Sequence, residues 1–93
     1  MVKWTPDSIA DARDAWDFIA QDNEIAADRI VETIELAAKR LDEFPEMGRK
    51  GIEPGTRQLV VARTQYKLVY RILESEVEIL RIIHGARDWP PKG

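Results

Sequence analysis

Residues 57–84 read RQLVVARTQYKLVYRILESEVEILRIIH. Three runs rich in Val, Ile, Leu and Tyr, namely Arg57–Arg63, Tyr66–Leu73 and Val77–His84, are parted by Thr64-Gln65 and by a polar stretch near Ser75. Such runs suit a pleated, half-buried surface, and the short gaps between them predict an antiparallel meander of three strands. If both connections hold an even number of residues, strand parity puts Leu59, Val61, Arg63, Tyr66, Leu68, Tyr70, Ile72, Ile79, Arg81 and Ile83 on one face. Val60, Ala62, Lys67, Val69, Arg71, Leu73, Leu80, Ile82 and His84 then share the other. Both faces are substantially apolar, whereas an antiparallel sheet wetted on one side shows polar residues there. The second face is therefore expected to meet a partner. The alternative is that loop 45–56 and tail 85–93 fold across it.

Upstream the period is helical. Thr5-Pro6 reads as an N-cap with proline at the first helical position, and Asp7 and Asp11 lie where the helix dipole favours negative charge. Ile9, Ala12, Trp16, Ile19 and Ala20 form one apolar stripe. Asp22-Asn23 breaks the pattern, and Ala27, Ile30, Ile34, Ala37 and Leu41 begin a second stripe that stops before Phe44-Pro45. Two amphipathic helices with a short polar break make an αα-hairpin. Val2 and Trp4, alternating with Lys3 and Thr5, predict a short opening strand. Residues 45–56, rich in Gly and Pro, read as a loop. The expected fold is α+β, strand–helix–helix–strand–strand–strand, with the hairpin packed on one face of a small antiparallel sheet and residues 1–93 as a single domain.

The 93 residues contain no Cys and one His, which removes disulfides, thiolate metal sites, a cysteine nucleophile and any scheme needing two imidazoles. No metal or cofactor is expected. No apolar run approaches the roughly 20 residues that span a bilayer, and Met1-Val2-Lys3-Trp4 does not open a signal peptide, so no membrane role and a cytoplasmic address are expected. The net charge of −3 is a cancellation. Residues 1–48 hold 12 acidic and 5 basic side chains, and residues 49–93 hold 5 acidic and 9 basic ones. The second half can thus offer a basic surface to an anionic partner.

The densest polar constellation closes the chain, from Arg81 through His84, Arg87 and Asp88 to Trp89. A strand-end imidazole with arginines in reach suits phosphodiester chemistry, the His moving protons and the guanidiniums clamping a phosphate. Arg63 on a neighbouring strand converges on the same place in this reading, and Tyr66 or Trp89 would stack on a base. The structural alternative bonds His84 to backbone or to Asp88, pairs Arg87 with Asp88, and uses Trp89 as a plug. Gly48, Gly51 and Gly55 match no phosphate-binding fingerprint and read as turn residues, although Arg49 and Lys50 beside them can reach an anionic partner. Glu32, Glu35, Asp42, Glu43 and Glu46 read as a solvated face. Trp16 reads as core or as a partner anchor.

Several stretches together resemble the RelE/ParE superfamily of toxins. They are Val2–Pro6, Ile19-Ala20 before Asp22-Asn23, Phe44-Pro45 with Gly48-Arg49, Gly55–Leu59, Tyr66–Arg71 and Leu80–Trp89. The resemblance covers nearly the whole chain and implies the toxin of a type II toxin–antitoxin pair, wrapped by a cognate antitoxin. It implies one of two targets: DNA gyrase, as for ParE-like members, or mRNA on the ribosome, as for RelE-like endoribonucleases. A third possibility is a relic that binds antitoxin without toxicity. No tyrosine follows Arg81, and only Lys50 stands where RNA-cutting members often carry a lysine pair, so the ParE-like branch is favoured and enzymatic action is not. The residues expected to meet the target are Arg63, Arg81, His84, Arg87 and Trp89, of which Arg63, Arg81 and His84 would be catalytic in a nuclease. Trp16, Tyr66, Tyr70 and Arg71 are expected to meet the antitoxin.

Overall fold

A computed structural model describes residues 1–87 and 89–91. In chain order it contains β1 (Val2–Trp4), α1 (Pro6–Ala20), α2 (Glu24–Arg40), β2 (Arg49–Lys50), β3 (Thr56–Val60), β4 (Tyr66–Leu73) and β5 (Glu76–His84). The expected α+β order stands, with a two-residue strand added inside the Gly/Pro-rich loop. The sheet order is β1-β5-β4-β3-β2. β2 to β5 pair antiparallel, while β1 runs parallel to β5 and makes the sheet mixed. No helix among the described residues is long and apolar enough to cross a membrane.

Thr5 both starts α1 and ties it to the sheet. Its hydroxyl oxygen accepts the Ser8 N–H at 3.1 Å, and its O–H lies 2.9 Å from the Ile79 carbonyl. One side chain thus satisfies an orphan helix donor and fixes the helix against β5. Asn23 caps α2 in the same manner through the Ala26 N–H. The buried side of α1 is Ser8 and Ala15 rather than Ile9, which is half exposed. Small residues there let α1 approach the sheet closely. α2 buries Ala27, Ile34 and Ala38, and Leu41 follows them into the core. Ile34, Ala38 and Leu41 meet Val61, Leu68, Tyr70, Val77, Ile79 and Ile82 in one hydrophobic cluster.

One irregularity changes the face assignment. Tyr70 pairs with Ile79 but Val69 pairs with Arg81, so Leu80 is an extra residue in β5. A bulge of this kind inverts the parity of everything beyond it. Ile82 and His84 therefore join Leu68 and Tyr66 on the helix-covered face, and Arg81 and Ile83 move to the opposite one. That opposite face is partly covered by the chain itself. Gln58 Nε2 donates to the Trp89 carbonyl at 3.4 Å, and Val69 is fully buried beside it. Val60 (65% exposed) and Leu73 (41%) remain open at its margins.

Candidate functional site

The residues singled out by the sequence fall into two separate groups. The first sits where the β3–β4 turn meets the end of β5. Thr64 shapes the turn, its Oγ1 bonding the Val61 carbonyl at 2.9 Å and accepting the Tyr66 N–H at 3.0 Å. Arg63 is exposed there with φ of 67°, in the left-handed region that a long side chain seldom adopts. Tyr66 pairs across the ladder with His84, and their rings meet edge-on with centroids 6.1 Å apart. Burial pushes the Tyr66 hydroxyl above its ordinary value and keeps it protonated. The Gly85 N–H donates to the Gln65 carbonyl at 2.6 Å and closes the group.

His84 is exposed, yet both ring nitrogens are engaged. Nδ1 accepts the Ala86 N–H at 3.3 Å, which leaves Nε2 as the N–H that donates to Gln65 Oε1 at 3.1 Å. Asp88, the other partner considered for His84 and Arg87, lies outside the described residues. Beside this group runs a groove of about 580 Å³, lined on the helical side by Phe18, Ile19 and Ile30 and on the sheet side by Arg63 and Tyr66. Phe18 is 68% exposed at its rim.

The second group lies on the opposite sheet face. Arg81 is held by a fork: its Nε and Nη2 donate to the two carboxylate oxygens of Asp11 at 2.7 and 3.0 Å. Asp11 also accepts the Ile82 N–H at 2.9 Å, where β5 has run past the end of β1. One helical carboxylate thus closes an open strand edge and fixes a guanidinium. The hydrogen bond to Asp11 raises the Arg81 pKa, against the opposing effect of burial. Arg71 is paired with Glu78 at 2.6 Å. Arg71, Arg81, Leu73 and Trp89 line a concavity of about 610 Å³ together with Asp7 and Glu53. Both arginines there are matched by carboxylates, so this is a mixed surface rather than a phosphate clamp.

The proposed triad of Arg63, Arg81 and His84 is not assembled in this arrangement: Arg81 and His84 lie three residues apart on β5 and face opposite sides, and the bulge carries Arg81 off the face of Tyr66 while bringing His84 onto it. Tyr70, expected at the antitoxin interface, is fully buried. Its O–H donates to the Pro45 carbonyl at 2.7 Å and accepts the Gly48 N–H at 2.9 Å, which anchors the loop. Burial raises its pKa, partly offset by the Gly48 bond and by Arg57. Trp16 is half buried and donates through Nε1 to Asp28 at 2.8 Å, stitching α1 to α2. Asp11 and Gln65 were not anticipated. Asp11 carried a signal: it lies three residues after Ser8 and four before Ala15, on the stripe that faces the sheet, where a carboxylate needs a partner. Among the described residues no cluster of His, Asp or Glu is arranged to hold a metal ion.

A family model described as the ParE toxin of the type II toxin–antitoxin system parDE matches residues 2–89. The chain belongs to the ParE toxin family. Toxin Y4kP of Sinorhizobium fredii is 36% identical over 96% of this ParE-family chain and 92% of its own length. Toxin RelE2 of Caulobacter vibrioides is 35% identical over 92% and 96% respectively. Among solved structures, a chain of the chromosomal ParDE system from P. aeruginosa superposes with a TM-score of 0.80 at 28% identity, covering 89% of this chain and 92% of that one. The αα-hairpin on a twisted sheet is thus the ParE-family framework, and the two residue groups described above are built on it.

Proposed function

We propose that this toxin is neutralised by a cognate antitoxin and that, when free, it binds and inhibits DNA gyrase in the cytoplasm without cutting a substrate. The observation that carries this reading is the dispersal of the nuclease candidates. Arg81 is committed to Asp11, and His84 has both nitrogens engaged on the other face. Proton transfer needs its acid or base within hydrogen-bond reach of the reacting atoms, with the phosphate clamp on the same side. The gyrase-facing surface in this reading is Arg63, His84 and Arg87, with Trp89 and Arg81 on the neighbouring face. Trp16, Tyr66 and Arg71 remain candidate antitoxin contacts. The exposed imidazole beside Tyr66 and Arg63 is the feature that favours the alternative, a ribosome-dependent mRNA endoribonuclease.

Induction of the chain without antitoxin separates these readings. Stabilised gyrase–DNA cleavage complexes are the expected result. Codon-positioned mRNA ends that vanish in His84→Ala would establish the nuclease instead. Normal growth despite folded protein would identify a non-toxic relic.

Arg63 offers a residue-level check. Its left-handed backbone suits glycine, so Arg63→Gly should leave stability within about 1 kcal/mol of wild type, strain relief offsetting the looser unfolded chain. If the guanidinium contacts the target, toxicity should fall by ~10-fold or more, as at an interface hot spot. Unchanged toxicity in a growth assay would remove Arg63 from the target surface.

A further inference from the structure

We propose that His84 is a positioning residue: as a neutral imidazole it fixes the turn that presents Arg87, and it releases that turn when protonated. The inference rests on the target-binding reading for the role of Arg87. Three successive amides after β5 are all satisfied. The Gly85 N–H donates to the Gln65 carbonyl at 2.6 Å, the Ala86 N–H to His84 Nδ1 at 3.3 Å and the Arg87 N–H to the His84 carbonyl at 2.9 Å. The last of these closes a four-residue turn, and the middle one is accepted by the side chain of its first residue. Asn and Asp brace turns in this manner with a side-chain oxygen, and here a ring nitrogen takes that place. Past the turn the chain crosses to the other sheet face, where the Trp89 carbonyl accepts from Gln58 Nε2. Arg87 is exposed at the crossing, between these two fixed points.

The Ala86 bond demands a lone pair on Nδ1, which the neutral imidazole has when its proton sits on Nε2. Protonation puts an N–H on both nitrogens. The Nε2–H bond to Gln65 Oε1 survives that change, whereas Nδ1–H then faces the Ala86 N–H, donor against donor. The charged groups around the ring are Arg63 in the β3–β4 turn and Arg87 in the tail, and Asp22 lines the helical side of the adjoining groove. Tyr66 meets the ring edge-on from β4 as a protonated phenol. Among the described residues no carboxylate pairs with the imidazole. Acidification through the range where imidazoles titrate, roughly pH 5–8, therefore removes one of the three bonds. It also adds a positive charge among two arginines.

His84 is the chain's one histidine, so NMR follows its ring without overlap. In the full chain the ring nitrogens should report the Nε2–H tautomer at about pH 7.5, and the Ala86 amide should shift on acidification with the same inflection as the ring. Binding to purified DNA gyrase should weaken by ~3–10-fold between about pH 7.5 and about pH 5.5, the worth of one net hydrogen bond. His84→Asn places an oxygen where Nδ1 stands and does not titrate, so its affinity should be the same at both pH values, whatever its level. His84→Leu removes the acceptor and should bind weakly at both, with an unchanged circular-dichroism spectrum. Asp88→Asn removes the one side-chain carboxylate of residues 85–93 and should keep the wild-type response. An Ala86 amide that ignores the ring titration, or an equal pH response in wild type and His84→Asn, overturns the proposal. So does an affinity that rises on acidification, since His84 would then meet the target as a cation. A chain that binds no gyrase at any pH overturns the target reading alone, and the Ala86 titration still decides the turn.

Discussion

Asp11→Ala should destabilise the fold by about 2–3 kcal/mol, which for a domain of this size lowers the melting temperature by roughly 10–20 °C. Three donors lose their acceptor at once: Nε and Nη2 of Arg81 and the backbone N–H of Ile82. The Asp11 side chain is only 13% exposed, but Arg81 is 39% exposed, and water softens the loss of its charge partner. The figure therefore lies below that for breaking a fully buried pair. The orphaned amide is the less forgiving part, because β5 has no strand on that side to take it. Asp11→Asn keeps one acceptor and should recover a large share of the stability. Arg81→Met in the Asp11→Ala background removes the stranded charge and should also recover part of it, so the two changes will not add. A melting temperature for Asp11→Ala within about 2 °C of wild type, measured by calorimetry, would sink this account.

The same fork bears on function. A guanidinium that clamps a scissile phosphate must be available to it, and the Arg81 fork is already filled by a carboxylate of the chain's own first helix. Arg81 in this fold is a tie between α1 and β5 with one edge toward a mixed-charge concavity. Loss of toxicity in Arg81→Ala would therefore carry little meaning until its stability was measured beside it. Arg63→Gly makes the cleaner probe, because the backbone there gains from glycine what the surface loses in charge.

How much of this was legible in the sequence varies with the kind of interaction. Helix phase was readable because Ala27, Ile30, Ile34 and Leu41 recur at a helical period, and Thr5-Pro6 and Asn23 mark starts by local hydrogen bonding. The three-strand meander was readable because Tyr66–Leu73 and Val77–His84 are β-rich runs with only a short polar gap. The faces were legible as far as Ile79 and no further. Nothing in Ile79-Leu80-Arg81 announces that Leu80 will be extra, since a bulge is chosen by the long-range fit of β5 to β4 and to Asp11. That single residue exchanged His84 for Arg81 on the helix-covered face, so His84 and not Arg81 shares the side of Tyr66. The parallel pairing of β1 was likewise invisible, since it joins the first residues to the last strand. Tyr70 was misread for a different reason. A tyrosine in a strand looks like an amphipathic surface anchor, and only the return of the loop over it shows that its hydroxyl is consumed inside.

That loop sets the last expectation: Gly48→Ala should cost about 3 kcal/mol, even though Gly48 has no left-handed backbone to explain its glycine. A Cβ at this position would stand 2.6 Å from the Tyr70 hydroxyl, 2.8 Å from the Gln58 carbonyl and 2.8 Å from a Tyr70 ring carbon. Neither neighbour can yield cheaply. The Gln58 carbonyl is main chain in β3, and Tyr70 is locked in the core with its hydroxyl between Pro45 and Gly48. Overpacking of this kind costs about 1–3 kcal/mol, and loss of the Gly48 bond to a buried hydroxyl adds to it. Tyr70→Phe alone should cost about 1–3 kcal/mol by stranding the Pro45 carbonyl and the Gly48 amide. Combined, the two should fall short of their sum, because removing the hydroxyl deletes the atom the new methyl strikes hardest. Chemical denaturation of the two single variants and the double variant reads this directly, and a strictly additive or larger loss would refute the steric account. The consequence reaches the surface. β2 is only Arg49 and Lys50, held against Gln58 and Arg57, so a displaced Gly48 frees two exposed cations from their fixed place at the sheet's far edge. If those cations help to meet an anionic target, toxicity should fall in step with the loss of loop order rather than with the loss of global stability. Amide exchange at Arg49 and Lys50, measured alongside growth inhibition, distinguishes the two.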